Sequence, residues 1–175
     1  MNVKAIARGV LRYAALGVII ALLALAILNG GSGLPKGTRA PPIVGQRLDG
    51  AAISSTGFDG KPAVINFWAT WCPPCLGELP EFERAYKAFG DRVAFIGLAV
   101  ESGSRADVAD VVQRFGLSYP IALRHPEVQH AYRVTSYPTT IIIAPDGTVV
   151  HSHAGAIDFE LLARELAPWL GPGQS

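Results

Sequence analysis

The sequence predicts an α/β domain built on a mixed β-sheet, preceded by a transmembrane helix. Three observations carry this reading. Ala63-Val64-Ile65-Asn66-Phe67-Trp68 and the run from Val93 to Val100 are short, apolar and rich in β-branched and aromatic residues, as buried strands are. Each is followed by apolar residues three or four apart, the stripe of an amphipathic helix, so strand and helix alternate as in a βαβ unit. Pro145-Asp146-Gly147 is a turn signal between two apolar runs, which returns the chain as an antiparallel strand.

Taken in order, Met1 to Arg12 carries Lys4, Arg8 and Arg12 and no acid, and Tyr13 to Leu28 is uncharged and almost wholly apolar. The run counted from Val10 to Leu28 is about 28 Å long as a helix, against a hydrocarbon core of roughly 30 Å. The basic flank places residues 1–9 in the cytoplasm, 10–28 across the membrane and the rest outside. A cleaved signal peptide is the rival reading, with Ala24-Leu25-Ala26 as its small-residue site, but Ile27 and Leu28 continue the apolar run. Residues 29–40 are glycine-rich and read as a flexible linker, 41–171 as the folded domain and 172–175 as a tail.

Within the domain, Ile43 to Ile53 alternates loosely, as a hairpin or edge strand would, and Gly57 to Pro62 forms a turn. The first domain helix runs from Cys72 to about Phe89, with Leu79, Phe82, Tyr86 and Phe89 as its stripe, Pro80 as a kink and Gly90 as its stop. Ser104 caps the next helix with Asp107 three residues on, and Val108, Val111, Val112 and Phe115 face inward up to Gly116. Tyr119 to Leu123 reads as a short strand and Glu127 to Arg133 as a short helix or turn. Ile141 to Ala144 and Val149 to His153 pair across the turn. Asp158 caps a last helix that buries Leu162, Leu166, Trp169 and Leu170.

Charge and cysteine content narrow the chemistry. A net charge of +1 gives no footprint for nucleic acid, and the only two cysteines, Cys72 and Cys75, read as a working pair rather than a disulfide framework. They stand where a strand hands over to a helix. The first helical turn offers free N–H groups and a positive dipole end, which stabilise a thiolate. Cys72 is then the exposed attacking thiol, and Cys75, one turn inside, is the shielded thiol that resolves a mixed disulfide. Pro73 and Pro74 fit the first turn and withhold two amides from the Cys72 sulfur. The Cys72 shift is therefore expected to be modest; a measured pKa of about 3.5 would contradict this.

The motif Phe67-Trp68-Ala69-Thr70-Trp71-Cys72-Pro73-Pro74-Cys75 resembles the active site of the thioredoxin superfamily, and more narrowly that of the membrane-anchored TlpA/ResA-type thiol-disulfide oxidoreductases. The resemblance runs from about Pro41 to Leu170. It implies a thioredoxin-like fold with a central mixed sheet flanked by helices, and dithiol-disulfide exchange with no organic cofactor. It also implies that Tyr137-Pro138 is a cis-proline loop facing the cysteines, with Trp71, Pro73, Pro74, Tyr137 and Pro138 meeting the bound protein. Thioredoxin has a buried aspartate where this chain has Asn66, so another group must handle the resolving thiol's proton. Glu78, three residues after Cys75 on the same helix face, and Glu101, at the C-terminal edge of the sheet, match acidic positions of the ResA type and are the candidates.

The same resemblance implies a monomeric, membrane-tethered reductase with its catalytic domain in the periplasm or otherwise outside the cytoplasm. Its partners would be protein disulfide clients, such as apocytochrome c or copper-delivery proteins, and an integral-membrane thiol electron donor. Two alternatives stand beside it: a disulfide-forming oxidase, and a Cu(I)-binding metallochaperone. No metal site is expected, because His125 and His130 lie far from the cysteines in sequence and His151 and His153 sit on one strand. Leu76 stands where covalent haem attachment needs histidine, and Met1 is the only thioether for copper.

Overall fold

The computed structural model describes residues 12–22, 31–54, 58–123 and 126–171. The chain divides into two compact units, Met1–Gly31 and Ser32–Ser175. In the first, residues 12–22 are helical (α1). Among the described residues no helix is long and apolar enough to cross a membrane. The span expected over 10–28 extends past the described residues at both ends, and the tail at 172–175 lies outside them.

The second unit contains β1 (Val44–Gln46), β2 (Ala52–Ser54), a 3-10 turn (Phe58–Gly60), β3 (Ala63–Trp68), α2 (Pro73–Phe89), β4 (Ala94–Ala99), α3 (Arg105–Phe115), β5 (Ile121–Leu123), α4 (Pro126–Ala131), β6 (Thr139–Ile143), β7 (Val149–Ala154) and α5 (Phe159–Leu170). The five-stranded sheet has the order β5-β4-β3-β6-β7. β3 runs parallel to β4 and antiparallel to β6, so the sheet is mixed. β1 and β2 form the expected N-terminal hairpin, which reaches the sheet edge through Leu48 N–H donating to Ile121 O at 2.7 Å.

All six residues of β3 are buried, because helices and the N-terminal segment cover both faces of the sheet. Alternation splits them. Val64 and Trp68 join Leu79, Phe82, Leu162 and Leu166 on one face, and Ala63, Ile65 and Phe67 join Ile43, Tyr132 and Ile141 on the other. The helix signals hold. Ser104 and Asp107 form a complete capping box, Gly116 adopts the left-handed conformation at φ 61°, and Asp158 caps α5. Trp169, expected to be buried, is only half-buried.

Two expectations are corrected. The stretch read as a flexible linker is bound to the domain from Ser32 onward. Gly33 N–H donates to Arg133 O at 3.0 Å, Gly37 N–H to Val149 O at 2.8 Å and Ala40 N–H to Gly147 O at 2.9 Å, while Leu34 is buried. Glycine content marked a tether, but Gly33 sits at φ 100° in close packing, where a Cβ would meet Ser152 Cβ at 3.0 Å, and Gly37 sits in open space at φ 86°. Gly90 does end α2, but in right-handed geometry at φ −59°, so its value lies in space rather than in a left-handed stop.

A Cβ on Gly90 would lie 2.7 Å from the Tyr86 carbonyl oxygen and 2.8 Å from its ring. Gly90→Ala is therefore expected to destabilise the protein by about 1–3 kcal/mol, although the same change normally stabilises a helical position. Urea denaturation of the two proteins checks this.

Candidate active site

The site is assembled where the parallel pair β3 and β4 ends. Trp68 and Ala99 stand in register, and the loops that follow, 69–71 and 100–102, are tied to one another. Thr70 N–H donates to Ser102 Oγ and Thr70 Oγ1–H to Ser102 O, both at 3.1 Å, and Ser102 Oγ–H donates to Val100 O at 2.9 Å. These bonds fix the chain just before Cys72.

Cys72 is the N-cap of α2, with Pro73 and Pro74 as the first helical residues. Cys72 and Cys75 form a disulfide. With both prolines lacking N–H, the Cys75 amide is the donor that reaches Cys72 Sγ, at 3.3 Å. Cys72 was expected to be exposed; it is 4% exposed, against 0% for Cys75. The order of burial is as expected, but Cys72 is itself buried rather than standing free. Pro73 and Pro74 are exposed beside it.

Glu78 lies one turn below Cys75 and is 2% exposed. Its Oε1 accepts from Asn66 Nδ2 at 2.7 Å and its Oε2 from Ile157 N–H at 3.0 Å. Burial pushes its pKa from an ordinary 4.5 up to about 8, against the opposing pull of those two hydrogen bonds. The carboxyl is therefore mostly protonated at neutral pH. Asn66, which replaces the acid of thioredoxin itself, orients this group instead. Its Oδ1 is buried and has no hydrogen-bond partner among the described residues.

Glu101 behaves differently from its expected role. Its side chain is exposed, and what it gives to the site is its backbone carbonyl, which accepts from Trp71 Nε1 at 2.8 Å. Its backbone sits at φ 48°, a conformation that costs a non-glycine residue of order 1–3 kcal/mol and persists because the surrounding bonds hold it. Glu101 meets the site through its backbone, which positions Trp71.

Trp71 is 60% exposed and meets Tyr137 edge to face, with ring centroids 6.1 Å apart. The Tyr137–Pro138 peptide is cis, as the resemblance implied. Pro138 is buried, and its carbonyl accepts from Gly155 N–H at 2.9 Å. Trp71 and Tyr137 thus form an aromatic ledge beside Cys72.

Sequence reasoning missed two contributors. Glu83, also on α2, is buried and accepts from Ser118 N–H and Ser118 Oγ–H, each at 2.7 Å. Burial works against its charge, but the Ser118 bonds and Lys87 outweigh it and hold its pKa below the usual value. Ser32, in the stretch read as linker, binds the loop that leads to Pro138. The helical spacing of Glu78, Leu79, Phe82 and Glu83 could have flagged Glu83 as inward-facing; nothing local flags Ser32. Among the described residues no group of three or more His, Cys, Asp or Glu could hold a metal ion. His151 and His153 are stacked, and His151 Nδ1 faces Glu165 Oε2 at 3.4 Å. His125 lies outside the described residues.

Comparison with known proteins agrees with this geometry. The profile of the AhpC/TSA family matches residues 36–152. The chain is 32% identical over 171 residues to the thiol-disulfide oxidoreductase ResA of Bacillus subtilis, covering 94% of each chain. It is 30% identical over 136 residues to the thioredoxin-like protein YneN of the same organism, covering 77% of this chain and 80% of YneN. A thiol:disulfide interchange protein of the thioredoxin family from Chlorobium tepidum superposes with a TM-score of 0.71 at 30% identity, covering 79% of this chain and 99% of that one.

The raised pKa of Glu78 has a sign that can be tested. Below about pH 4.5 the carboxyl is protonated in the folded and unfolded chains alike. Between there and about pH 8 the unfolded chain loses the proton and the folded chain keeps it, so native stability falls as pH rises. The slope reaches up to ~1.4 kcal/mol per pH unit. Glu78→Gln removes it. Denaturation of the oxidised proteins at several pH values should show the variant gaining on the wild type from pH ~5 to ~8; parallel curves would mean that Glu78 is ionised in the fold.

Proposed function

Since the chain belongs to the AhpC/TSA family, has the thioredoxin-like fold and is a thiol-disulfide oxidoreductase, we propose that it is a membrane-tethered disulfide reductase for protein clients outside the cytoplasm. The observation that carries the chemistry is a disulfide capping α2 one helical turn from a buried carboxyl whose pKa burial raises to about 8.

The steps follow from access and proton balance. A donor thiolate attacks the Sγ of Cys72, the less buried of the two cysteines. The Cys72–Cys75 bond breaks, Cys75 leaves as a thiolate and Glu78 gives it a proton. A second donor thiolate releases Cys72 by attacking the mixed disulfide. In client reduction the order reverses: the Cys72 thiolate attacks the client disulfide and one client sulfur leaves. Glu78, now ionised, takes the Cys75 proton as Cys75 attacks Cys72 Sγ. The second client thiolate then departs and is protonated by solvent. Trp71, Pro73, Pro74 and Tyr137 form the surface the client meets, and Pro138, expected there too, is buried behind them and shapes the loop through its cis peptide. Glu101 acts through Trp71.

The tether rests on the basic residues Lys4, Arg8 and Arg12 ahead of an apolar run, and on the exposed Leu16, Val18, Ile19, Ile20 and Leu22 of α1. A reductase in an oxidising compartment needs re-reduction, which an integral-membrane thiol carrier would supply. Haem-binding cysteines of apocytochrome c, and thiols of copper-delivery proteins, are the client classes to try first.

Direction is the decisive test. Equilibration of the full chain against glutathione and dithiothreitol buffers should give a reduction potential near or below about −220 mV; a value near −120 mV would make it a disulfide-forming oxidase. Cys75→Ser should accumulate a mixed disulfide between Cys72 and an oxidised client, visible by mass under non-reducing conditions, and Cys72→Ser should abolish turnover. Tight Cu(I) binding without client reduction would point instead to a metallochaperone.

A further inference from the structure

We propose that Ser32 is a positioning residue for client docking: its hydroxyl grips the 135–139 loop on both sides of Tyr137-Pro138 and holds the aromatic ledge beside Cys72. The proposal rests on the reading of the chain as a disulfide reductase for protein clients.

Ser32 is 8% exposed and Thr139, across from it, is fully buried. Ser32 Oγ accepts from Thr135 N–H at 3.0 Å and from Ser136 N–H at 3.3 Å. It also lies 2.8 Å from Thr139 Oγ1. The Thr139 hydroxyl donates to Ser136 O at 2.8 Å, so the proton between the two hydroxyls must come from Ser32. Both acceptor sites and the single proton of Ser32 are thus in use. The bonds close a loop, Ser136 N–H to Ser32, Ser32 to Thr139, and Thr139 to Ser136 O, with Tyr137 and Pro138 enclosed between residues 136 and 139.

The grip is anchored from behind. Gly33 N–H donates to Arg133 O at 3.0 Å, and Ser152 Oγ–H donates to Leu34 O at 2.6 Å. Ser32 therefore cannot move without disturbing residues on both flanks of the loop. Thr135 and Ser136 themselves are exposed, so without Ser32 their amides would turn to water and the loop would gain conformations. Tyr137, the next residue, carries the edge-to-face contact with Trp71. Loosening the loop therefore disperses the docking surface and leaves the reacting sulfurs, on α2, where they are. The result is a hydroxyl in the segment ahead of β1 controlling how a client is held, not how fast sulfur exchanges.

The test uses full-length Ser32→Ala. Turnover of insulin with dithiothreitol as donor should show a KM raised about three- to tenfold with kcat little changed. Turnover of dithiobis(nitrobenzoate), too small to use the ledge, should be unaffected. Amide hydrogen exchange at Thr135 and Ser136 should speed up by about tenfold or more relative to amides of β3. A lowered melting temperature with unchanged KM and unchanged exchange at both amides would make Ser32 a packing residue and overturn the proposal. Equal loss of protein and small-disulfide turnover would also overturn it. Should the wild-type chain fail to reduce insulin, the reductase reading falls, and exchange at Thr135 and Ser136 still decides whether the hydroxyl grips the loop.

Discussion

The structure turns on one buried carboxyl. Glu78 draws a hydrogen bond from Asn66 on β3 and another from Ile157 just ahead of α5, while its own backbone belongs to α2. The consecutive elements β3 and α2 are thereby fixed to each other and to the segment before α5, some eighty residues further on. The arrangement is demanding, because a carboxyl without solvent resists ionisation and keeps its proton to about pH 8. That same resistance makes the group useful. An ordinary surface glutamate would have lost its proton long before neutrality and could protonate nothing.

A second buried glutamate on the same helix shows that burial alone does not produce this property. Glu83 is 6% exposed, yet the Ser118 amide and hydroxyl both donate to it and Lys87 Nζ lies 3.2 Å away. Its charge is satisfied and its pKa falls. Glu78 has neutral donors only, one of them a side-chain amide, and no cation beside it among the described residues. Shallower burial and the two Ser118 hydrogen bonds, with Lys87 added to them, separate the glutamate that ties α2 to the segment before β5 from the glutamate whose burial raises its pKa one turn from Cys75. The asparagine at position 66 is part of that separation. It orients the carboxyl without adding charge, whereas an acid there would have placed two carboxyls in contact.

Much of this was legible in the sequence. The strands at 63–68 and 94–99, the Ser104 cap and the Gly116 stop are local signals, carried by residues a few positions apart. The cysteine pair at the start of α2 and the inward face of Glu78 follow from helical spacing. Features that depend on distant partners were not legible. Glu101 carries the right residue type at the sheet edge, but its positive φ turns the carbonyl, not the carboxyl, toward Trp71. The stretch 32–40 looked like a tether because the partners of Gly33, Leu34, Gly37 and Ala40, namely Arg133, Ser152, Val149 and Gly147, lie more than ninety residues away. Cys72 lost its expected exposure for the same reason: what surrounds it comes from other parts of the chain.

These two classes of feature divide the site by task. Everything the sulfur chemistry needs, from Asn66 through Cys72 and Cys75 to Glu78, lies within one strand, one turn and the start of one helix, apart from the Ile157 amide. Local propensity and helix geometry set those distances, so the reacting groups are held even if the surroundings shift. The surface that meets a client is built the other way. Trp71 depends on the Glu101 carbonyl, Tyr137 packs on Trp71, and the loop before Pro138 depends on Ser32. Each of those contacts joins segments that are at least thirty residues apart. On the proposed reading, substitutions at Ser32 act on recognition and substitutions at Asn66 or Glu78 on proton transfer, while Ser102, which holds Thr70 just before Cys72, touches both tasks. A chain arranged in this way can change its clients by altering distant loops without rebuilding its chemistry.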